Sequence, residues 1–202
     1  VAHVAMNGRH AGVYGIADTL KESSVQVISQ LKDMGITPVM VTGDNAKTAE
    51  AIAQELGISK VKSQVLPADK EELIRMLRKE HGVVAMVGDG INDAPALAAA
   101  DVSIAMGGGT DVAIESAGIT LLRSDIALVP TAISLSQKTI TNIRQNLFWA
   151  FGYNVVLIPV AMGLLYPFTG IILNPIMAGA AMAFSSVSVV TNALRLRSAK
   201  LS

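Results

Sequence analysis

The 202-residue sequence predicts an α/β domain with an open, Rossmann-like parallel sheet, followed by an α-helical hairpin that crosses a membrane. Up to about residue 125, short β-branched runs alternate with helical segments, which is typical of parallel sheets with helices on both faces. Hydrophobic residues make up 51% of the chain and charged residues only 16%. Two apolar runs, 147–166 and 175–194, are each close to the roughly twenty residues needed to cross a bilayer.

The sequence up to about residue 125, which we call the head, contains five predicted strands. The helix that follows the first strand begins with Asp44 or Asn45 as its cap and ends at Gly57. The next helix has Asp69 near its start and Gly82 as its stop. The segments "GITPVMVTGD", "VKSQVLP", "VVAMVGD", "VSIAMG" and "ITLL" are the strands, and "VVAMVGD" is apolar enough for the middle of a parallel sheet.

Polar side chains follow two of these strands, and a lysine begins the helix between them. Ligands of an open α/β sheet bind beyond the carboxyl ends of its strands, so these side chains are expected to share one crevice. The residues concerned are Thr42, Gly43, Asp44, Lys70, Asp89, Asn92 and Asp93.

This set of side chains is suited to a phosphoryl group with Mg²⁺. Mg²⁺ prefers carboxylate oxygens and retains some of its waters. The Thr42 hydroxyl is a donor to phosphoryl oxygens, and the Lys70 ammonium offsets their charge. Gly88 and Gly90 allow the backbone to turn sharply and approach a ligand.

A nucleophile for phosphoryl transfer is not found among these residues. The nearest upstream acid, Asp18 in "GVYGIADTLKESS", fits a hinge better than a strand end. The chain opens on Val1 without an initiator methionine. We therefore expect a piece of a longer protein, with the nucleophilic aspartate located before Val1.

Three segments resemble a known family. "TGDN" and "MVGDGINDAPALAAADVSIAMGGGTDVA" resemble the phosphorylation domain of P-type ATPases, which has a haloacid dehalogenase-like fold, and "GIADTLKESS" is similar to the stretch that returns from the nucleotide-binding domain. The resemblance implies a nucleotide-domain tail (1–15), a phosphorylation domain (16–125), a stalk helix (126–145), membrane helices (146–166 and 175–194) and a cytosolic tail (195–202).

The resemblance also implies roles, with ATP and Mg²⁺ as cofactors. Asp89 would bind Mg²⁺ beside the phosphorylated aspartate, and Asn92 and Asp93 would hold its coordination shell. Thr42 would bind phosphoryl oxygens, Gly43 would allow their approach, with Asp44 beside them, and Lys70 would stabilise charge during transfer. The family's DKTGT segment is absent from these residues, and His3 is followed by valine, so it does not match the family's His-Pro pair.

The predicted membrane hairpin indicates which ion is transported. Met182 and Ser186 are four residues apart and therefore share a helix face. A thioether favours Cu⁺ or Ag⁺ over Zn²⁺, and neither apolar run contains an ionisable Asp, Glu, Lys or His. The spacings N-x6-YN-x4-P and M-x2-SS-x5-N resemble the last two membrane helices of copper-transporting heavy-metal P-type ATPases. That resemblance implies an ion site lined by Tyr153, Asn154, Met182 and Ser186, a Cu⁺-exporting pump, and delivery of Cu⁺ by a copper chaperone.

Basic residues flank the hairpin on both sides. By the positive-inside bias, both outer ends and the head are expected to be cytosolic, in a multi-pass protein of the cell membrane. The formal net charge of zero gives no argument for nucleic acid as a partner. The flanking residues are Lys138, Arg144, Arg195, Arg197 and Lys200.

Three alternatives remain open from the sequence. A soluble phosphatase of the haloacid dehalogenase class predicts a DxD strand and no membrane segments. A non-catalytic membrane fragment or regulator would keep the fold without the reaction, and an Asp-Lys-Thr-Gly-Thr strand upstream would exclude it. A pump for another heavy metal, such as Zn²⁺, would need charged intramembrane residues in other helices.

Overall fold

The computed structural model describes residues 2–14, 20–89, 91–107, 115–164, 166–170 and 175–198. The chain divides into two compact units, Val1–Pro130 and Thr131–Ser202. Asp18, the expected hinge acid, and Gly90 lie outside the described residues.

The first unit begins with an antiparallel hairpin of β1 (Ala2–Met6) and β2 (Arg9–Tyr14). Asn7 and Gly8 connect the strands with φ angles of 52° and 75°. An Asn-Gly pair with both φ angles positive is the preferred two-residue hairpin turn, because its twist matches that of the strands. The expected nucleotide-domain tail thus contains a β-hairpin, which the sequence interpretation did not include.

Helix α1 (Glu22–Asp33) follows, and it too was not predicted. Its buried side chains Val27, Ile28 and Leu31 recur at helical spacing.

Strand β3 (Val39–Val41), helix α2 (Ala46–Leu56) and strand β4 (Lys60–Lys62) form a parallel βαβ unit. The Asn45 Oδ1 accepts a hydrogen bond of 3.0 Å from the Thr48 N–H. Gly57 ends the helix in the left-handed conformation with φ 70°. Both end signals read from the sequence are confirmed, with Asn45 rather than Asp44 as the cap.

Helix α3 (Pro67–His81) leads to β5 (Ala85–Gly88), a 3₁₀ turn (Ile91–Asp93) and α4 (Ala94–Ala99). The strands β6 (Val102–Met106) and β7 (Ile119–Leu121) complete the unit. All five strands expected in the head are present in shortened form.

The expected single open sheet is divided in the described residues. β3 pairs in parallel with β4, and β5, β6 and β7 form a separate parallel sheet. The parallel pairing is confirmed, but β3 and β5 make no ladder with each other in the part of the chain that is described, so each is the edge of its own sheet.

One hydrophobic core joins these sheets through α3. Leu73, Ile74 and Leu77 of α3 pack with Ala96 and Ala99 of α4. Val41 of β3 and Met86 of β5 both pack against this cluster. The two edge strands therefore share one cluster of α3 and α4 side chains as their packing partner.

The second unit consists largely of helices. α5 (Leu128–Ala161) is unbroken and includes Pro159, α6 (Tyr166–Thr169) is short, and α7 (Pro175–Leu194) continues into a 3₁₀ turn (Arg195–Ser198). The expected stalk and first membrane segment are thus one helix, which ends at Ala161 rather than at residue 166. Among the described residues, no helix combines the length and apolar character required to span a membrane.

Three asparagines connect α5 with α7. The Asn142 Nδ2 donates to the Asn192 carbonyl oxygen at 2.7 Å, and the Asn192 Nδ2 donates to the Asn146 Oδ1 at 2.9 Å. The Asn146 Nδ2 in turn donates to the Asn142 Oδ1 at 3.1 Å. We call this network the asparagine clamp, since each of its members bonds to another.

Candidate phosphoryl-transfer site

The centre of the site is an ion pair between α3 and the turn after β5. The Lys70 Nζ lies 2.6 Å from the Asp93 Oδ1, and their side chains are only 18% and 12% exposed. A pair so poorly solvated is less screened by water than a surface pair. Lys70 and Asp93 were assigned separate roles from the sequence, and the structure brings them together.

The last residue of β5, Gly88, packs closely against Asp93. Gly88 is buried, and a Cβ built on it would lie 2.8 Å from the Asp93 Cβ and 2.9 Å from its Oδ2. These distances are shorter than normal van der Waals contact, so only glycine fits here without displacing the carboxylate. The glycine before Asp89 therefore has a steric role.

A second pair of site residues lies after β3. The Thr42 Oγ1 donates to the Asp44 Oδ2 at 2.8 Å and accepts a hydrogen bond from the Asp44 N–H at 3.1 Å. The Thr42 N–H donates to the carbonyl of Lys62, the last residue of β4, at 2.9 Å. This hydrogen bond holds the start of the Thr42–Asp44 segment next to β4. A Cβ on Gly43 would make only an ordinary contact of 3.6 Å with the Val65 carbonyl. Gly43 is thus not required by the fold.

Asp89 and Asn92, the remaining predicted residues, are exposed. Asp89 precedes the short turn that contains Asn92 and Asp93, and the three residues together offer carboxylate and amide oxygens. This donor set fits Mg²⁺, which is usually held by one or two carboxylates and several waters. The described residues contain no group of three or more His, Cys, Asp or Glu side chains that would hold a metal by themselves.

An arginine fork fastens the elements that carry the site. The Arg78 Nε donates to the Asp101 Oδ2 at 2.9 Å, and its Nη1 donates to the Ala99 carbonyl at 2.9 Å. The Val84 N–H also donates to the Asp101 Oδ2, at 3.0 Å. The Val84 hydrogen bond and the Arg78 guanidinium hold the pKa of Asp101 below its ordinary value. This link ties α3 to the segments that precede β5 and β6.

The predicted ion-site residues of the second unit bond within their own helices. The Asn154 Nδ2 donates to the Ala150 carbonyl at 2.8 Å, and the Ser186 Oγ donates to the Met182 carbonyl at 3.1 Å. The Tyr153 ring lies 6.3 Å from that of Trp149. Within the described part of the chain, no hydrogen bond joins Tyr153 or Asn154 to Met182 or Ser186.

Two features, one beside the site and one in the second unit, were not predicted from the sequence. The Arg78–Asp101 link had no local signal, because its partners are 23 residues apart. The asparagine clamp had a partial signal, since Asn142 and Asn146 are four residues apart and hence stacked on one helix face.

Comparison with known proteins gives matches along nearly the whole chain. A family model described as a haloacid dehalogenase-like hydrolase matches residues 2–101. Copper-transporting ATPase 2 of Rhizobium meliloti is 58% identical over 97% of this chain and 24% of its own length. The silver exporting P-type ATPase of Salmonella typhimurium is 56% identical over 100% of this chain and 24% of its own length.

A solved structure matches as well. The crystal structure of a zinc-transporting PIB-type ATPase in the E2.Pi state superposes with a TM-score of 0.82 at 39% identity, covering 96% of this chain and 31% of that one. The head therefore has the haloacid dehalogenase-like fold that the motifs implied. The chain spans about a quarter of the length of these curated relatives. Over the stretch that it covers, the chain belongs to the P-type ATPase family.

Proposed function

We propose that this chain is part of an ATP-driven pump that transports Cu⁺ through an aspartyl-phosphate intermediate. The observation that carries the proposal is the poorly solvated ion pair between Lys70 of α3 and Asp93 in the turn after β5. An ammonium held by a carboxylate at this edge of the sheet is positioned to neutralise a phosphoryl group without moving.

In this proposal each site residue has a distinct task. Lys70 neutralises phosphoryl charge, and Asp93 holds the lysine in place. Thr42 donates a hydrogen bond to a phosphoryl oxygen, and Asp89 and Asn92 supply oxygens for Mg²⁺. The Mg²⁺ supplies electrostatic stabilisation of the charge on the transferring group.

The divided sheet supports a nucleophile located upstream in sequence. β3 and β5 are edge strands, and Val41 of β3 and Met86 of β5 both pack against the cluster of α3 and α4 side chains. An exposed strand edge pairs with an added strand. We propose that a strand before Val1, bearing the phosphorylated aspartate, inserts between β3 and β5, next to Thr42 and Asp89.

The test of the site uses the whole protein and phosphorylation by inorganic phosphate with Mg²⁺. Lys70→Met should lower the rate of phosphoenzyme formation at least tenfold, because one charge-assisted hydrogen bond to a transition state is worth about 2–3 kcal/mol. Arg75→Met is the matched control, since Arg75 is an exposed basic residue on the same helix that pairs with Glu71. Equal phosphorylation of the two variants would refute the assignment of Lys70.

The second unit is proposed to enter the membrane. Large apolar side chains on α5 and α7 are exposed, among them Phe148 at 70%, Val155 at 68% and Phe184 at 68%. Residues 146–194 contain no charged side chain. Exposed apolar surface of this extent marks an interaction with lipid or with further helices. We place the head and both outer ends in the cytosol, with the pump in the cell membrane.

Copper is the proposed cargo. Met182 is 70% exposed on α7, and its thioether suits a soft monovalent ion. The copper-transporting relative is 58% identical, whereas the zinc-transporting structure is 39% identical. The silver exporting relative extends the proposal to Ag⁺. We propose that Tyr153, Asn154, Met182 and Ser186 line the ion path and that a copper chaperone delivers the ion.

Transport of Cu⁺ into vesicles containing the whole protein tests the cargo. Met182→Ala should weaken the Cu⁺ dependence and spare phosphorylation by inorganic phosphate. Met162→Ala is the control, because Met162 is also exposed, at 82%, but follows the end of α5. A zinc pump is the second candidate, favoured by the structural match, and stimulation by Zn²⁺ alone would support it instead.

Helix α5 is the proposed link between phosphorylation and transport. Its 34 residues run unbroken from Leu128, a length of about 50 Å. Ile140→Pro should separate ATP hydrolysis from transport, since an interior proline costs a helix about 3 kcal/mol. Ile140→Ala keeps the helix and should keep the coupling. If the proline variant still transports, α5 does not carry the coupling.

A further inference from the structure

A polar cavity lies in the second unit, where α5 passes the end of α7 and the turn that follows it. Its volume is about 640 Å³. Eight of its nine lining residues are polar or basic, and Leu196 is the apolar one. The amide, hydroxyl and basic groups of the wall include those of Gln137, Lys138, Thr141, Gln145, Asn192 and Arg195.

The charge around this cavity has one sign. From residue 126 to residue 202 the sequence has no aspartate or glutamate. Its five charged residues are all basic and lie on the two segments that flank the apolar runs. An anion that enters the cavity meets two cationic side chains and no carboxylate side chain among the lining residues, so electrostatics favours its binding.

Hydrogen bonds between side chains hold the wall of the cavity in place. The asparagine clamp holds α5 to α7 at the wall of the cavity through Asn142 and Asn192. The Arg195 Nη1 donates to the Asn192 Oδ1 at 3.3 Å, which orients the guanidinium. This bond uses one of the five donors of an arginine, and a planar fork of donors matches phosphate oxygens.

The cavity lies at the boundary between polar and apolar sequence on both helices. Gln145 is two residues before the apolar run that begins at Leu147, and Arg195 directly follows the end of α7. If these helices enter the membrane as proposed, this boundary is at the depth of the lipid headgroups. Basic pockets between membrane helices on the cytoplasmic side are suited to anionic headgroups.

We propose that this cavity binds the phosphate headgroup of an anionic phospholipid. The inference rests on the membrane insertion in the proposed function. The volume is in the range of ordinary ligand pockets, about 300–1,000 Å³, and is sufficient for a headgroup. Lys138 and Arg195 neutralise the phosphate, and the amides and hydroxyls of the wall complete its hydrogen bonds.

The test compares two double variants of the 202-residue chain in lipid nanodiscs. Lys138→Gln/Arg195→Gln removes the two cavity charges, and Arg144→Gln/Arg197→Gln removes two charges from the same flanking segments that do not line the cavity. Native mass spectrometry then counts the phosphatidylglycerol molecules retained from mixed phosphatidylcholine–phosphatidylglycerol discs. Each basic residue that contacts the bound headgroup contributes about fivefold in affinity, so the cavity variant, which removes two such contacts, should lose about 30-fold.

The control variant should lose less than about fivefold, because it weakens only the general positive field. Equal losses in the two variants would overturn the proposal, since the attraction would then come from net charge and not from the cavity. A chain that enters phosphatidylcholine discs but shows no preference for phosphatidylglycerol would overturn the lipid site alone. A chain that does not enter phosphatidylcholine discs would overturn the membrane proposal as well.

A further measurement with excess inorganic phosphate distinguishes a lipid headgroup from a soluble phosphorylated compound as the ligand. Free phosphate should not displace retained phosphatidylglycerol, because the acyl chains anchor the lipid beside the apolar runs. Displacement by inorganic phosphate would assign the cavity to a soluble phosphorylated compound and overturn the lipid assignment.

Discussion

Replacing Gly88 by alanine is expected to displace the Asp93 carboxylate and break its pair with Lys70. The added Cβ would lie 2.8 Å from the Asp93 Cβ, where normal carbon contacts begin near 3.5 Å. The turn would therefore have to move by about 0.7 Å, or the carboxylate would have to rotate away from the lysine.

The magnitude follows from two contributions. Forcing a methyl group into a packed site costs about 1–3 kcal/mol. Rotation of Asp93 would leave Lys70, whose side chain is 18% exposed, without its partner, and this cost is smaller than for a fully buried pair. We expect a loss of about 2 kcal/mol, which is a factor of about 30 in the unfolding equilibrium.

Urea unfolding of the chain, followed by circular dichroism, measures this loss. Gly118→Ala is the matched control, because the nearest atom to its new Cβ, the Ser103 Oγ, would be at an ordinary 3.6 Å. If Gly88→Ala were as stable as Gly118→Ala, the close packing of Gly88 against Asp93 would not hold in solution.

Two further predictions concern stability. Folding lowers the pKa of Asp101, chiefly through the hydrogen bond from the Val84 N–H and then through Arg78. The ionised carboxylate therefore stabilises the folded chain above its ordinary pKa of 3.8. This stabilisation is lost as the pH falls through the lowered pKa. Asp101→Asn should therefore destabilise the chain at pH 7, and the difference from wild type should shrink toward pH 3 in urea titrations; a difference that does not depend on pH would contradict this. In thermal unfolding, Asn192→Leu should lower the free energy of unfolding by about 1 kcal/mol, which is the net value of the hydrogen bond from Asn192 to Asn146. Ser188→Ala should lower it by less, because the Ser188 hydroxyl donates to the Phe184 carbonyl of its own helix. Equal effects of these two substitutions would argue against the clamp.

The sequence was informative where a signal is local. Helix α2 has its cap at Asn45 and its left-handed glycine at Gly57, and both ends lie where the sequence predicts them. Such signals depend only on a few neighbouring residues, so a single sequence is enough to reveal them. Helix α1 has an equally local pattern in Val27, Ile28 and Leu31, which the sequence interpretation did not use.

Contacts between residues far apart in the sequence were harder to predict. Lys70 and Asp93 could be assigned to the same edge by the rule for parallel sheets, but a contact between residues 23 positions apart depends on how α3 packs on β5. The division of the sheet between β3 and β5 was not predictable, because a strand pattern does not specify its neighbour. In α5 and α7, the Asn154 and Ser186 side chains donate to carbonyls of their own helices. Helix periodicity does not predict whether such a side chain bonds to its own helix or to a neighbouring one.

The most direct test is metal-dependent formation of phosphoenzyme from ATP in the whole protein that contains this stretch. Wild-type protein should be labelled by γ-³²P-ATP with Mg²⁺ when Cu⁺ or Ag⁺ is added, and Asp89→Asn should abolish the label. Labelling of Asp89→Asn at the wild-type level, or labelling of the wild type that does not respond to any of Cu⁺, Ag⁺ and Zn²⁺, would contradict the assignment of this chain to a metal-transporting phosphoryl-transfer pump.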